Sequence, residues 1–250
     1  MKTTFTIADG FADHLRAGGL ERFEQVMAFE APPGSVTRAV PGRFTSRIEL
    51  PPAAPGRPGL AAYLKRYRGL LCSAAAAHEW QSLHDLSAAG IPCPRPVALG
   101  EKRALFAIAA SFLITEEIAG ATQADWWIAK RPERKGELIA AVAALARRFH
   151  DAGFHHQDFY LCHFFVGENH GASKALALSL IDLQRCGRHR GRRRWLVKDL
   201  AQLHHSFREA GFAAENWDGF LERYGGLDRR LGRAVLAKSA RIARHVPRYG

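Results

Sequence analysis

His155-His156-Gln157-Asp158-Phe159-Tyr160-Leu161-Cys162-His163-Phe164, followed downstream by Leu180-Ile181-Asp182-Leu183, is the stretch whose reading decides the fold. It places one carboxylate inside an H-x-D loop and a second at the end of an apolar strand. Phosphoryl transfer needs two carboxylates of this kind. One orients the attacking hydroxyl and accepts its proton, and the other holds a divalent metal against nucleotide phosphates. Asp158 fits the first role and Asp182 the second. Each alone is weak evidence, since an apolar strand ending in Asp is common and the Asp there usually caps or turns the chain. The order of several such pieces carries the reading.

In the protein-kinase pattern a metal-binding Asn stands five positions after the catalytic Asp, and the second carboxylate opens Asp-Phe-Gly. Here His163 stands at the Asn position and Asp182-Leu183-Gln184 replaces Asp-Phe-Gly, which argues against an ordinary protein kinase. Upstream, Leu60 to Tyr67 reads as a strand whose Lys65 follows apolar residues, as the phosphate-pairing lysine does in V-A-I-K. Ser73 to Leu86 reads as a helix with Trp80, Leu83 and Leu86 at helical spacing. Glu79 on that helix is placed to pair with Lys65 and keep it aimed at phosphates. Phe106 to Ile108 and Phe112 to Ile118 are apolar enough for two buried strands. Glu116, Glu117 and Ile118 then resemble a kinase hinge, whose backbone groups, more than side chains, would hold adenine. Asp199 resembles the buried Asp that braces a catalytic loop through its backbone.

Glu79-Trp80-Gln81-Ser82-Leu83-His84, Ser111 to Glu117, Asp158 to Phe164, Ile181-Asp182-Leu183-Gln184-Arg185 and Arg194-Trp195-Leu196-Val197-Lys198-Asp199-Leu200 occur in one order and spacing. In that order the chain, from about Gly42 to about Ser206, resembles the lipopolysaccharide core kinases, the heptose and Kdo kinases of the WaaP/InaA type. The specific part is D-F-Y-L-C-H-F with R-W-x-x-K-D-L, the first carrying His at the metal position as that family does. The resemblance implies an α+β, bilobal protein-kinase-like fold with a β-rich N-lobe and a helical C-lobe. It also implies ATP- and Mg²⁺-dependent phosphorylation of a sugar hydroxyl of the lipopolysaccharide inner core. Asp158 would be catalytic, Asp182 and His163 would hold Mg²⁺, and Lys65 with Glu79 would hold ATP. The expected setting is cytoplasmic, peripheral at the inner face of the bacterial inner membrane.

Composition agrees with an acidic partner. Across 250 residues the chain carries a formal net charge of +12, which favours nucleotide, phosphorylated glycolipid, an anionic membrane surface or nucleic acid. Nucleic acid is disfavoured because the basic residues are not interleaved with stacking aromatics. Arg185, Arg188, Arg190, Arg192, Arg193 and Arg194 crowd the segment after Asp182. They form either a solvated basic loop or a clamp for acceptor phosphates and lipid headgroups, with Arg185, Arg192, Arg193 and Arg194 the candidate substrate residues. Cys72, Cys93, Cys162 and Cys186 form no C-x-x-C pair, so neither a zinc site nor a disulfide framework is indicated. The first residues are too short and polar for a signal peptide, and no apolar run is long enough to span a bilayer. No G-x-G-x-x-G or P-loop exists, and Gly42 reads as a hairpin turn.

The expected organisation is an N-terminal extension over 1–34 with one or two short helices between Phe11 and Phe29, an N-lobe over 35–118 and a C-lobe over 119–250. Val36 to Val40 and Arg43 to Leu50 read as strands. Prolines from Pro92 to Pro96 are expected to end the Glu79 helix. Leu138, Val142, Leu145, Ala146 and Phe149 form the core stripe of a later helix. Another kinase on the same fold, or an inactive pseudokinase acting as a basic binding module, remain the alternatives.

Overall fold

The computed structural model describes residues 2–69, 74–104, 107–168, 176–188 and 192–244. The chain forms two compact units, Met1–Asp85 with Pro94–Ala119, and Leu86–Cys93 with Gly120–Gly250.

The first unit is built on a six-stranded sheet. Its strands run in the order β1 (Lys2–Ile7), β5 (Pro96–Ala104), β6 (Ala107–Glu116), β4 (Leu60–Arg68), β3 (Arg43–Leu50), β2 (Val36–Val40). Every neighbouring pair is antiparallel. Side chains alternate across a strand, so Ala62 and Leu64 take one face of β4 with Ile48 and Leu50 of β3. There they meet Leu15 of α1 (Ala12–Ala17) and Phe23, Val26 and Met27 of α2 (Phe23–Ala28), which cover that face. Tyr63, Lys65 and Tyr67 are thereby sent to the opposite face. β2 and β3 join through Pro41-Gly42, with Gly42 at φ +76° as a two-residue hairpin turn requires.

Three expectations are corrected. The two strands expected around Phe106 and Phe112 are one, β6, because Ala110 and Ser111 are laddered on both sides, to β4 and to β5; Phe106 itself lies outside the described residues. β1 and β5 had no signal in the sequence. Pro96 made β5 read as a break, yet it is the strand's first residue, where a missing N–H is tolerated. The helix carrying Glu79, α3 (Ala74–Ala88), stops before any proline is reached. Gly90 adopts φ +69° and the Ile91 N–H closes back onto the Leu86 carbonyl at 2.9 Å, so a glycine C-cap ends it. Its expected first residue, Ser73, is outside the described residues, as are Cys72 and Arg190.

The second unit holds a three-stranded sheet, β7 (Thr122–Gln123), β8 (Phe164–Glu168) and β9 (Leu176–Leu180), with helices α4 (Ala124–Ala129), α5 (Lys135–Asp151), α6 (Arg192–Glu209), α7 (Ala214–Tyr224) and α8 (Arg229–Ala243). The α5 stripe Leu138, Val142, Leu145, Ala146 and Phe149 is buried throughout. Phe149 ends the stripe stacked on Phe154 and Phe159, with centroids 5.8 and 5.5 Å away. That stack fixes the chain on both sides of Asp158.

At Gly100, across from Phe112, an added Cβ would lie 2.1 Å from a Phe112 ring carbon. Phe112 is fully buried between Phe5 and Phe23 and cannot swing away. Gly100→Ala should therefore destabilise the protein by about 1–3 kcal/mol, read as a lower urea midpoint at unchanged slope.

Candidate active site

In the first unit, the alternation that buries Leu64 puts Lys65 on the face reached by α3. Lys65 Nζ lies 2.6 Å from Glu79 Oε1, with side chains 13% and 3% exposed. Desolvating both charges is costly, and removing one partner of such a pair typically costs about 3–5 kcal/mol. Glu79 is thus a buried positioning group and not a surface charge of its helix.

Glu116 and Glu117 end β6. Their side chains serve the fold: Arg47 grips Glu117 with two nitrogens at 2.9 and 2.7 Å, holding its carboxyl below the usual range, and Arg95 approaches Glu116 at 3.3 Å. Their N–H groups donate to the Arg95 and Ala61 carbonyls. Of the expected hinge, the Glu116 and Glu117 N–H groups are thus already engaged within the sheet.

In the second unit, the loop after α5 is organised by one buried carboxylate. Asp199 is fully buried on α6 and accepts the His156 N–H and the Gln157 N–H, each at 2.8 Å, while His150 Nε2 lies 3.4 Å away. Gln202 accepts the Phe159 N–H at 3.0 Å and donates to the Gln157 carbonyl; Ser206 Oγ accepts the Leu161 N–H at 3.1 Å. Asp199, Gln202 and Ser206 are spaced i, i+3, i+7, so a single face of α6 binds the loop backbone from 156 to 161. Gln157 is held at φ +68°, a conformation that costs a non-glycine residue roughly 1–3 kcal/mol and persists only where its surroundings enforce it.

This loop presents Asp158, whose side chain is 34% exposed, with Arg185 Nη1 3.4 Å from its Oδ2. The Asp158 carbonyl receives His163 Nδ1 at 2.5 Å. A carbonyl only accepts, so Nδ1 carries a proton, and it is the neutral ring that keeps a lone pair at Nε2. That lone pair faces Asp182 Oδ2 at 3.9 Å. Asp182 follows β9 at φ +55°, in the left-handed region that Asp visits more readily than most residues. His156 is stacked on His163 with centroids 5.5 Å apart. It donates from Nε2 to the Ile181 carbonyl and accepts the Asp158 N–H at Nδ1. Burial first, and the neighbouring His163 second, hold its pKa below the ordinary histidine value, in keeping with a neutral ring.

The sequence-derived residues thus fall into two groups. Within the first unit Lys65 and Glu79 meet; within the second, Asp158, His163, Asp182, Arg185 and Asp199 belong to one connected cluster. Arg193 lies 3.6 Å from Asp228 and Arg194 stacks over Trp195 at 4.9 Å, while Arg192 is the first residue of α6. Arg193 and Arg194, with Gln157, Trp195, Lys198 and Lys238, line a depression of about 940 Å³. Gln202, Ser206 and His150 were missed. Their signal was present for the first two, as polar residues at i+3 and i+7 from Asp199 on a helix otherwise marked by leucines.

A divalent metal fits Asp182 and His163 to this extent: one carboxylate oxygen and one imidazole lone pair face each other within the ~4.2 Å that two ligands at about 2.1 Å can span. No group of three or more metal-ligating side chains exists among the described residues. Mg²⁺ sites of phosphotransferases commonly use one or two protein ligands, with the remainder from phosphate and water.

Residues 61–224 match the model of the lipopolysaccharide kinase (Kdo/WaaP) family. The chain is 30% identical over 246 residues to the lipopolysaccharide core heptose(I) kinase WaaP of Escherichia coli K12, covering 87% of this chain and 90% of that protein. To WaaP of Pseudomonas aeruginosa it is 33% identical over 227 residues, covering 82% and 81%. A 3-deoxy-D-manno-octulosonic acid kinase of Mannheimia succiniciproducens is 27% identical over 152 residues, 58% of this chain and 61% of that one. The solved structure of WaaP in complex with acyl carrier protein matches with a TM-score of 0.74 and 30% identity, over 96% of this chain and 98% of that chain. The α+β fold expected from the motif order is the fold of that structure, and the chain belongs to the lipopolysaccharide kinase (Kdo/WaaP) family.

Proposed function

We propose that this protein transfers the γ-phosphoryl group of ATP to a sugar hydroxyl, heptose or Kdo, of the lipopolysaccharide inner core. The observation that supports it most is the loop braced by Asp199, which presents Asp158 half-exposed with a histidine lone pair and a second carboxylate in the same cluster. Asp158 orients the acceptor hydroxyl and takes its proton as the oxygen–phosphorus bond forms and the bond to the ADP oxygen breaks. Lys65, kept in one direction by Glu79, is assigned to the nucleotide phosphates, and the Glu116–Ile118 backbone to the adenine edge. Asp182 and His163 would hold Mg²⁺, which supplies neutralisation of phosphate charge when bound. Lys65, Glu79, Asp158 and Asp182 are all retained, which weighs against a pseudokinase.

Arg185, beside Asp158, and Arg193 and Arg194 at their depression suit acidic groups of the acceptor, and Arg192 is assigned with them. Peripheral contact with the inner face of the inner membrane is supported by α8, whose fifteen residues include Arg229, Arg230, Arg233, Lys238 and Arg241 and no carboxylate. No described helix is long and apolar enough to cross a membrane. Because the solved relative is a complex with acyl carrier protein and matches this chain nearly end to end, the same partner is proposed here.

With radiolabelled ATP and dephosphorylated core lipopolysaccharide, Asp158→Asn should lose about a hundred- to ten-thousand-fold in transfer while binding ATP almost as the parent does. Equal activity would remove Asp158 from its role.

Metal removal gives an independent check on Asp182. Calorimetry should show ATP binding weakened when EDTA strips Mg²⁺ from the parent. In Asp182→Asn the same treatment should change the affinity little, because the metal's protein anchor is already lost. An unaltered metal dependence in the variant would exclude Asp182 as that anchor.

A further inference from the structure

Trp126 is 64% exposed, more than any other large apolar side chain left in solvent among the described residues. Its neighbour on α4 shows what a structural tryptophan does here. Trp127 is 2% exposed, with Arg131 and Arg134 over its ring at 5.2 and 4.9 Å. Trp126 returns nothing of that kind to the fold. It stands instead at a cavity of about 520 Å³, within the roughly 300–1,000 Å³ typical of small-molecule sites.

The remaining wall joins this cavity to the reacting end of the second unit. Tyr160 and Cys162, two and four residues after Asp158, line it, and the Tyr160 N–H is bonded to the Asp158 carbonyl at 3.0 Å. α6, whose Asp199, Gln202 and Ser206 hold that loop, contributes His205 and Glu209. Asp125 and Lys130 of the α4 segment complete the polar rim. The Cys162 thiol, pushed up to about 11 by its burial, stays protonated and uncharged.

Resting on the proposed sugar-kinase activity, we infer that this cavity is the acceptor subsite, and that it takes an uncharged pyranose unit stacked on Trp126. An indole face offers large apolar area to the C–H face of a sugar ring, and the rim offers carboxylates, a phenol and an imidazole to its hydroxyls. Charge decides between the family's two sugar types. In a chain of formal charge +12, this cavity carries two carboxylates, Asp125 and Glu209, against one ammonium, Lys130. An acidic sugar carrying its own carboxylate would meet repulsion here, whereas a neutral heptose-type ring would not. The acidic groups elsewhere on the glycolipid are left to Arg185, Arg193 and Arg194.

The test separates binding from transfer. Saturation-transfer NMR with dephosphorylated heptose-containing core oligosaccharide reads the subsite without any chemistry, and steady-state transfer to the same glycolipid reads it during turnover. Trp126→Ala should weaken oligosaccharide binding and raise its KM about tenfold, with a smaller effect on kcat, and Trp126→Phe should recover most of the loss. Asp125→Asn with Glu209→Gln should improve binding of the methyl glycoside of Kdo relative to methyl α-D-mannopyranoside. Oligosaccharide binding that depends on Trp126 in a protein that transfers no phosphate would uphold the subsite and overturn the kinase activity. Phosphate transfer with a KM unmoved by Trp126→Ala would overturn the subsite and leave the activity standing. A parent that binds no oligosaccharide overturns it as well.

Discussion

The acceptance of two backbone N–H groups by the buried Asp199 carboxylate is the interaction on which the second unit's chemistry depends. A charge removed entirely from water must be matched by donors, and Asp199 finds them in His156, Gln157 and His150. The match works in both directions. The carboxylate's oxygens are satisfied by the loop's N–H donors, and the loop is forced into a left-handed Gln157 that its own preferences resist. Gln202 and Ser206 extend the same helix face along the backbone, so α6 acts as a rigid template for residues 156–161. Asp158 points outward because its neighbours' backbones are tied inward.

One consequence is a chain of hydrogen bonds with a defined proton at each link. The Asp158 N–H is received by His156, the His156 Nε2 proton goes to Ile181, and the Asp158 carbonyl takes the His163 Nδ1 proton. The His163 lone pair is therefore aimed by the position of Asp158. A histidine at this place in the chain is not a defective asparagine. In the metal-holding role proposed for it, His163 would act through a tautomer selected by the residue it serves beside.

The first unit solves a simpler problem by the same logic. A lysine on a strand interior faces either core or helix according to register. The apolar residues at 62 and 64 decide which, because α1 and α2 need them. The N-terminal residues thus contribute to aiming Lys65 without touching it. Surface charge has less leverage: Arg185 beside Asp158 is a largely exposed pair, worth about 0–1 kcal/mol to stability.

The strands β2, β3 and β4, the α5 stripe and the residues Lys65, Glu79, Asp158, Asp182, His163 and Asp199 were legible in the sequence. Alternation, helical spacing and motif order are local properties, carried by residues within a strand or a few turns of one another. One end of the sheet was not legible: β1 gains its ladder only from β5, and β5 hid behind Pro96. Gln202, Ser206 and His150 looked like ordinary helix residues. What the sequence alone determined was the identity and order of the charged groups and the face each takes on its own element. Only the tertiary structure decided their states: Glu79 buried, His163 protonated on Nδ1, Gln157 strained, Trp126 left at a cavity. Those depend on partners such as Asp199, 43 residues from His156, whose approach no local pattern encodes.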